Sequence, residues 1–147
     1  LDLFRVVQMV LIHDIVEIDA GDAYAYAPGG PGDQAEREAR AADRLFGLLP
    51  QDQGRRFREL WEEFEARQTP EARFAAALDR MQPLLNNLLT GGLMWKKHGV
   101  TRGQVLERCR PIGDGSRRLW AEMEVRIREA VREEQLGAED PPPGNDS

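Results

Sequence analysis

Apolar residues that return every three or four positions, in one segment after another, restrict this chain to packed helices. Over residues 2–19 they are Leu3, Phe4, Val6, Val7, Val10, Leu11, Ile15 and Ile18, a broad stripe and not a strict alternation. Its β-branched residues leave a buried strand open, while its length without internal Gly or Pro favours a helix. Asp33 begins the next helix, with Ala35, Ala39, Ala42, Leu45, Phe46 and Leu49 inward, and Pro50 stops it. Residues 51–67 follow with Phe57, Leu60, Trp61 and Phe64 inward and Glu62, Glu63 and Glu65 outward. Thr69-Pro70-Glu71 is a helix start, with Thr as cap, Pro at the first position and an acid in the first turn. That helix is expected to bury Phe74, Ala77, Leu78, Met81, Leu84, Leu85 and Leu88 before Thr90-Gly91-Gly92 closes it. Residues 93–99 read as irregular, Thr101 to Gln104 as a capping box, and Pro111 as the end of a short helix. Ser116 caps the last helix, whose inner face is Leu119, Trp120, Met123, Ile127, Ala130 and Val131.

At 147 residues and 41% hydrophobic content, the chain suits one domain over residues 1–136, with an acidic, Pro-rich and disordered tail over 137–147. A net charge of −6 without a dense Lys/Arg cluster argues against general nucleic-acid binding. The single Cys109 excludes an internal disulfide and a Cys-rich zinc site, and fits a reducing, cytoplasmic compartment. No apolar run is long enough to span a bilayer, so no membrane is expected as a partner. Leu1 already lies inside an amphipathic pattern with no capping residue ahead of it, from which an upstream segment is expected.

Ionisable groups stand out against this apolar background in two places. His13 and Asp14 are adjacent, and neighbours on a helix diverge by only about 100°, so both can reach one metal ion. Glu17, four residues after His13, projects from nearly the same face a turn further on, where a carboxylate can meet a water. Gly21 then breaks the helix and Asp22 follows at its exit. Charges in such a setting are costly unless a metal or a hydrogen-bond network compensates. The plainer alternative is a hydrogen-bonded core histidine in a dipeptide that occurs by chance.

The second place is Asp79, among apolar residues and four before Pro83. Proline has no N–H, so the Asp79 carbonyl loses its helical partner and the helix should kink beside an interior carboxylate. His98, between Lys97 and Gly99, reads as a surface residue. The Gly/Pro-rich residues 23–32 form a loop leaving the candidate site, either a lid or a plain connection.

HDIVEIDAGD at 13–22, EREARAADRLFGLLP at 36–50, FAAALDRMQPLLNNLLTGG at 74–92 and WKKHGVTRGQVLERCRPIGDGS at 95–116 together resemble the HD-domain superfamily of metal-dependent phosphohydrolases. The branch most similar is that of the 5′-deoxynucleotidases, and the resemblance covers nearly the whole chain except the tail. It implies an all-α, single-domain helical bundle and a homodimer. It also implies metal ligands at His13, Asp14 and Asp79, whereas the family's further His ligand, from an earlier helix, has no counterpart here. The family's catalytic carboxylates match Glu17 and Asp22, which by resemblance orient the attacking water and help protonate the leaving sugar oxygen.

A divalent cation held by imidazole and carboxylate is not sharply selected, so Mn, Co, Fe, Ni or Zn all suit. The implied substrate is a small phosphoester, a (deoxy)nucleoside 5′-monophosphate, cleaved to nucleoside and phosphate. Two other readings stay open: an HD-type hydrolase of another phosphoester or a nucleoside polyphosphate, and a non-catalytic helical interaction module in which His13, Asp14 and Asp79 form a metal-free polar network.

Overall fold

Helix α1 starts at Leu3 because Asp2 caps it: the Asp2 carboxylate accepts the Arg5 N–H at 3.1 Å. The computed structural model describes residues 1–21 and 31–138 and, for residues 31–33, the backbone alone. Among the described residues every regular element is helical: α1 Leu3–Ile12, a 3₁₀ turn His13–Val16, α2 Glu17–Ala20, α3 Pro31–Phe46, α4 Gln51–Ala66, α5 Pro70–Leu89, α6 Leu93–His98, α7 Arg102–Cys109, α8 Ile112–Gly115 and α9 Arg117–Arg132. The all-α class expected from the spacing is what forms. None of these helices is long and apolar enough to cross a membrane. The chain divides into two compact units, residues 1–75 and 76–147.

In the first unit α1 and α3 both pack on α4, and α2 packs on α3. Of the stripe expected over residues 2–19 only Val6 is buried, while Leu3, Phe4, Val7, Leu11 and Ile18 are each more than half exposed; the face that packs inward is instead Val6, Met9, Ile12 and Val16. Helix α3 begins at Pro31, two residues before the expected start, and buries Ala41, Ala42 and Phe46 while Ala35 faces solvent. Gly54 lets α4 lie close to the end of α3, since a Cβ there would stand 2.3 Å from the Phe46 carbonyl oxygen. Leu60, Trp61 and Phe64 are buried as the aromatic spacing predicts. Glu63, expected on the outer face, instead turns to Arg5, whose Nε donates to it at 2.8 Å. Glu63 also accepts the Thr69 hydroxyl at 2.6 Å, and Thr69 caps α5 by accepting the Ala72 N–H at 3.1 Å. One carboxylate therefore ties the start of α1, the end of α4 and the start of α5 together.

In the second unit Ala76, Ala77 and Leu84 are buried, and Pro83 sits inside a helix that continues to Leu89. Gly91 and Gly92, at φ of 63° and 74°, close it. Residues 93–99, expected to be irregular, form α6, which left-handed glycines bound at both ends, Gly92 before it and Gly99 after it. Its Trp95 is buried, and the Trp95 N–H donates to the Asn87 side chain at 3.3 Å. The capping box forms in both directions, with the Thr101 N–H donating to Gln104 at 3.0 Å and the Gln104 N–H to Thr101 at 3.4 Å. Ser116 caps α9, which buries Met123, Ile127 and Ala130. Gly137, placed in the tail, carries a backbone bridge: its carbonyl accepts the Arg102 N–H at 2.8 Å. The rest of the expected tail from residue 139, and residues 23–30 of the loop expected over 23–32, lie outside the described residues, while Pro31 and Gly32 belong to α3.

Candidate active site

His13 opens the 3₁₀ turn, and its side chain is 11% exposed. Its Nδ1 lies 2.9 Å from the Val10 carbonyl oxygen, three residues back. A carbonyl only accepts, so Nδ1 carries the proton of that hydrogen bond and Nε2 is left for the other side of the ring. Nε2 faces the Asp14 carboxylate, 2.9 Å from Oδ1. Two states satisfy this approach: an imidazolium paired with the carboxylate, or a lone pair and an anionic oxygen converging on a shared cation. Orientation of a ligand histidine by a backbone carbonyl on its other nitrogen is the arrangement metal sites use to fix the tautomer. The donor pair therefore fits a divalent ion, with one nitrogen and one carboxylate. Within the first unit, no further described His, Cys, Asp or Glu completes a set of three around it.

Asp14 departs from the picture of charges sunk in a core. Its side chain is 67% exposed, so the clamp opens to solvent from a histidine that does not. Glu17 is half-buried, and its relation to the pair differs from the expected one. A 3₁₀ turn has 3.0 residues per turn, so residues three apart eclipse. Glu17 therefore follows Asp14 by one turn, not His13, and its N–H donates to the Asp14 carbonyl. Gly21, at φ 80°, ends α2 as expected. Asp22, the second expected catalytic carboxylate, lies outside the described residues. Asp79 belongs to the second unit, half-buried on α5 four residues before Pro83. His98 is exposed at the end of α6.

The segment is staked on both sides. Upstream, Arg5 pairs with Glu63; downstream, Arg44 of α3 pairs with Asp19 of α2 through two contacts, one of them Nη2 to Oδ1 at 2.6 Å. The Arg44 hydrogen bond holds the Asp19 carboxyl below its usual range, and Glu63 is lowered first by Arg5 and further by Thr69. Sequence reasoning singled out neither pair, because a charge on an amphipathic helix looks like solvated surface until its partner is known. It likewise missed Phe64 as a neighbour of the site: the His13 and Phe64 rings stand 4.5 Å apart between centroids, tilted by 44°.

The family model described as HD domain matches residues 1–120. The chain belongs to the HD-domain family. Among solved structures, a "predicted metal-dependent phosphohydrolase" from Magnetospirillum magnetotacticum MS-1 is similar to this HD-domain chain, with 52% identity and a TM-score of 0.86 over 93% of this chain and 68% of that one. Among curated proteins, the 5′-deoxynucleotidase HDDC2 of Bos taurus is 38% identical and that of Homo sapiens 37%, each over 82 residues that make up 55% of this chain and 40% of the relative. The chain thus spans about two fifths of the length of the curated relatives it matches. HD-domain membership of this kind implies a divalent metal cofactor, in agreement with the donor pair at His13 and Asp14.

Proposed function

We propose that this HD-domain chain serves a metal-dependent phosphomonoesterase that cleaves (deoxy)nucleoside 5′-monophosphates to nucleoside and phosphate. The observation that carries the reading is the convergence of His13 Nε2 and the Asp14 carboxylate, with Nδ1 already committed to Val10. The relatives named 5′-deoxynucleotidase support the substrate class.

In this reading His13 and Asp14 hold the cation from one element and Asp79 supplies a third ligand. A bound divalent ion lowers the pKa of water and offsets charge on a phosphoryl oxygen. Glu17, a turn beyond Asp14, orients the attacking water and takes its proton as the new O–P bond forms. Asp22 gives a proton to the sugar 5′-oxygen as the old P–O bond breaks, so the leaving group departs as an alcohol. The reading extends to a homodimer, which light scattering on the purified protein tests.

The decisive experiment measures phosphate released from a panel of nucleoside monophosphates, with each of several divalent metals, by the protein that contains this chain. Release is expected to be metal-dependent, abolished by Asp79→Ala and lowered about 10²-fold or more by Glu17→Ala, the scale of a lost general base. No release from any nucleotide with any metal overturns the substrate class. Release that Asp79→Ala leaves intact overturns the ligand assignment.

A further inference from the structure

We infer that Phe64 is a positioning residue for His13, the wall that fixes the plane in which its Nε2 meets a metal; this rests on the metal reading of His13 above. A histidine side chain has two free torsions, so a metal-ligating ring must be held in both. The Val10 carbonyl holds one point of the ring, the Nδ1 proton, at 2.9 Å. Contacts at the two ring nitrogens, to Val10 and to Asp14, act in the plane of the ring and do little against a swing about the line that joins them. The Phe64 ring, 4.5 Å away and tilted by 44°, blocks that swing from one face.

Phe64 can act this way because it is itself immobile. It is 3% exposed, one turn of α4 after buried Trp61, and adjacent to Glu63, whose contacts with Arg5 and Thr69 hold α4 against α1. The wall and the hydrogen bond come from different elements, α4 and α1, so the direction of Nε2 depends on their packing. A tilted aromatic contact of this kind also favours the ring over an aliphatic chain of similar volume.

The test compares the unchanged protein, Phe64→Leu and His13→Ala. Phe64→Leu keeps an apolar side chain in the core and removes the flat face. Zinc binding is followed by calorimetric titration with the metal alone, and the imidazole proton shifts of His13 are read by NMR without metal. The unchanged protein is expected to show His13 ring protons displaced by the ring current of Phe64. Phe64→Leu is expected to remove that displacement and weaken zinc binding about tenfold, the low end for loss of a ligand-orienting neighbour. Phe64→Met serves in the same way if the leucine variant does not fold.

A folded Phe64 variant that binds zinc as tightly as the unchanged protein overturns the inference, as do unshifted His13 ring protons in the unchanged protein. Failure of the underlying reading looks different: zinc binding is then absent from the unchanged protein, or untouched by His13→Ala, while the ring-current shift persists.

Discussion

At the scale of single residues, burial and pairing decide which side chains respond to solution conditions. Burial pushes the Cys109 thiol up to about 11, so almost none is thiolate near neutral pH. A disulfide reagent is expected to leave the native protein unlabelled and to label one thiol per chain once denaturant unfolds it. Glu63 carries the opposite shift, its carboxyl lowered chiefly by Arg5. A depressed carboxyl stabilises the fold fully above its unfolded value, near 4.5, and that contribution is lost as pH falls through the lower folded value. Glu63→Gln is therefore expected to cost about 1 kcal/mol at neutral pH, the upper end for a pair in which Arg5 is 45% exposed. The difference should vanish in denaturant titrations carried out well below that range.

At the scale of elements, α4 and α6 end at left-handed residues, Arg67 and Gly99, and the two glycines after α5 separate strain from crowding. Gly91 at φ 63° has open space around a would-be Cβ, whereas at Gly92, φ 74°, a Cβ would stand 1.9 Å from the Gln135 carbonyl oxygen. Gly91→Ala is expected to cost about 1–2 kcal/mol, the penalty of a left-handed residue. Gly92→Ala should exceed it by about 1–3 kcal/mol of overpacking, as read from urea midpoints. Helix α1 gives the converse case. Its Phe4 and Leu11 belong to the apolar stripe but are 68% and 71% exposed, so Phe4→Ser and Leu11→Ser are expected to change the stability of this chain by no more than about 0.5 kcal/mol. The sequence marked the helices by spacing and caps, and Thr69, Thr101 and Ser116 accept the hydrogen bonds of N-caps as expected, whereas the cap at Asp2 went unmarked. It misread residues 93–99, because a six-residue helix between two glycines has no room to display a period.

At the scale of the whole molecule, a ligand that binds only the folded protein raises its stability by mass action. Metal at a hundred times its dissociation constant is expected to add about 2.7 kcal/mol, seen as a rise in melting temperature that a chelator reverses. His13→Ala should abolish that rise, since it removes the one nitrogen donor of the pair.

Chemistry carried by neighbours in the chain was open to sequence reading. The adjacency of His13 and Asp14, the break at Gly21 and the all-helical period depend on residues within a turn or two of one another, and the family resemblance is the sum of such local segments. What the tertiary structure decided depends on partners distant in sequence or on the winding of a single turn. It gave Glu63 to Arg5 and Asp19 to Arg44, set Phe64 against His13, and wound residues 13–16 as 3₁₀ so that Glu17 follows Asp14. Periodicity tells which residues share a face of a helix. Only packing tells what that face meets, because the energy of burial depends on the neighbour as well as on the side chain itself.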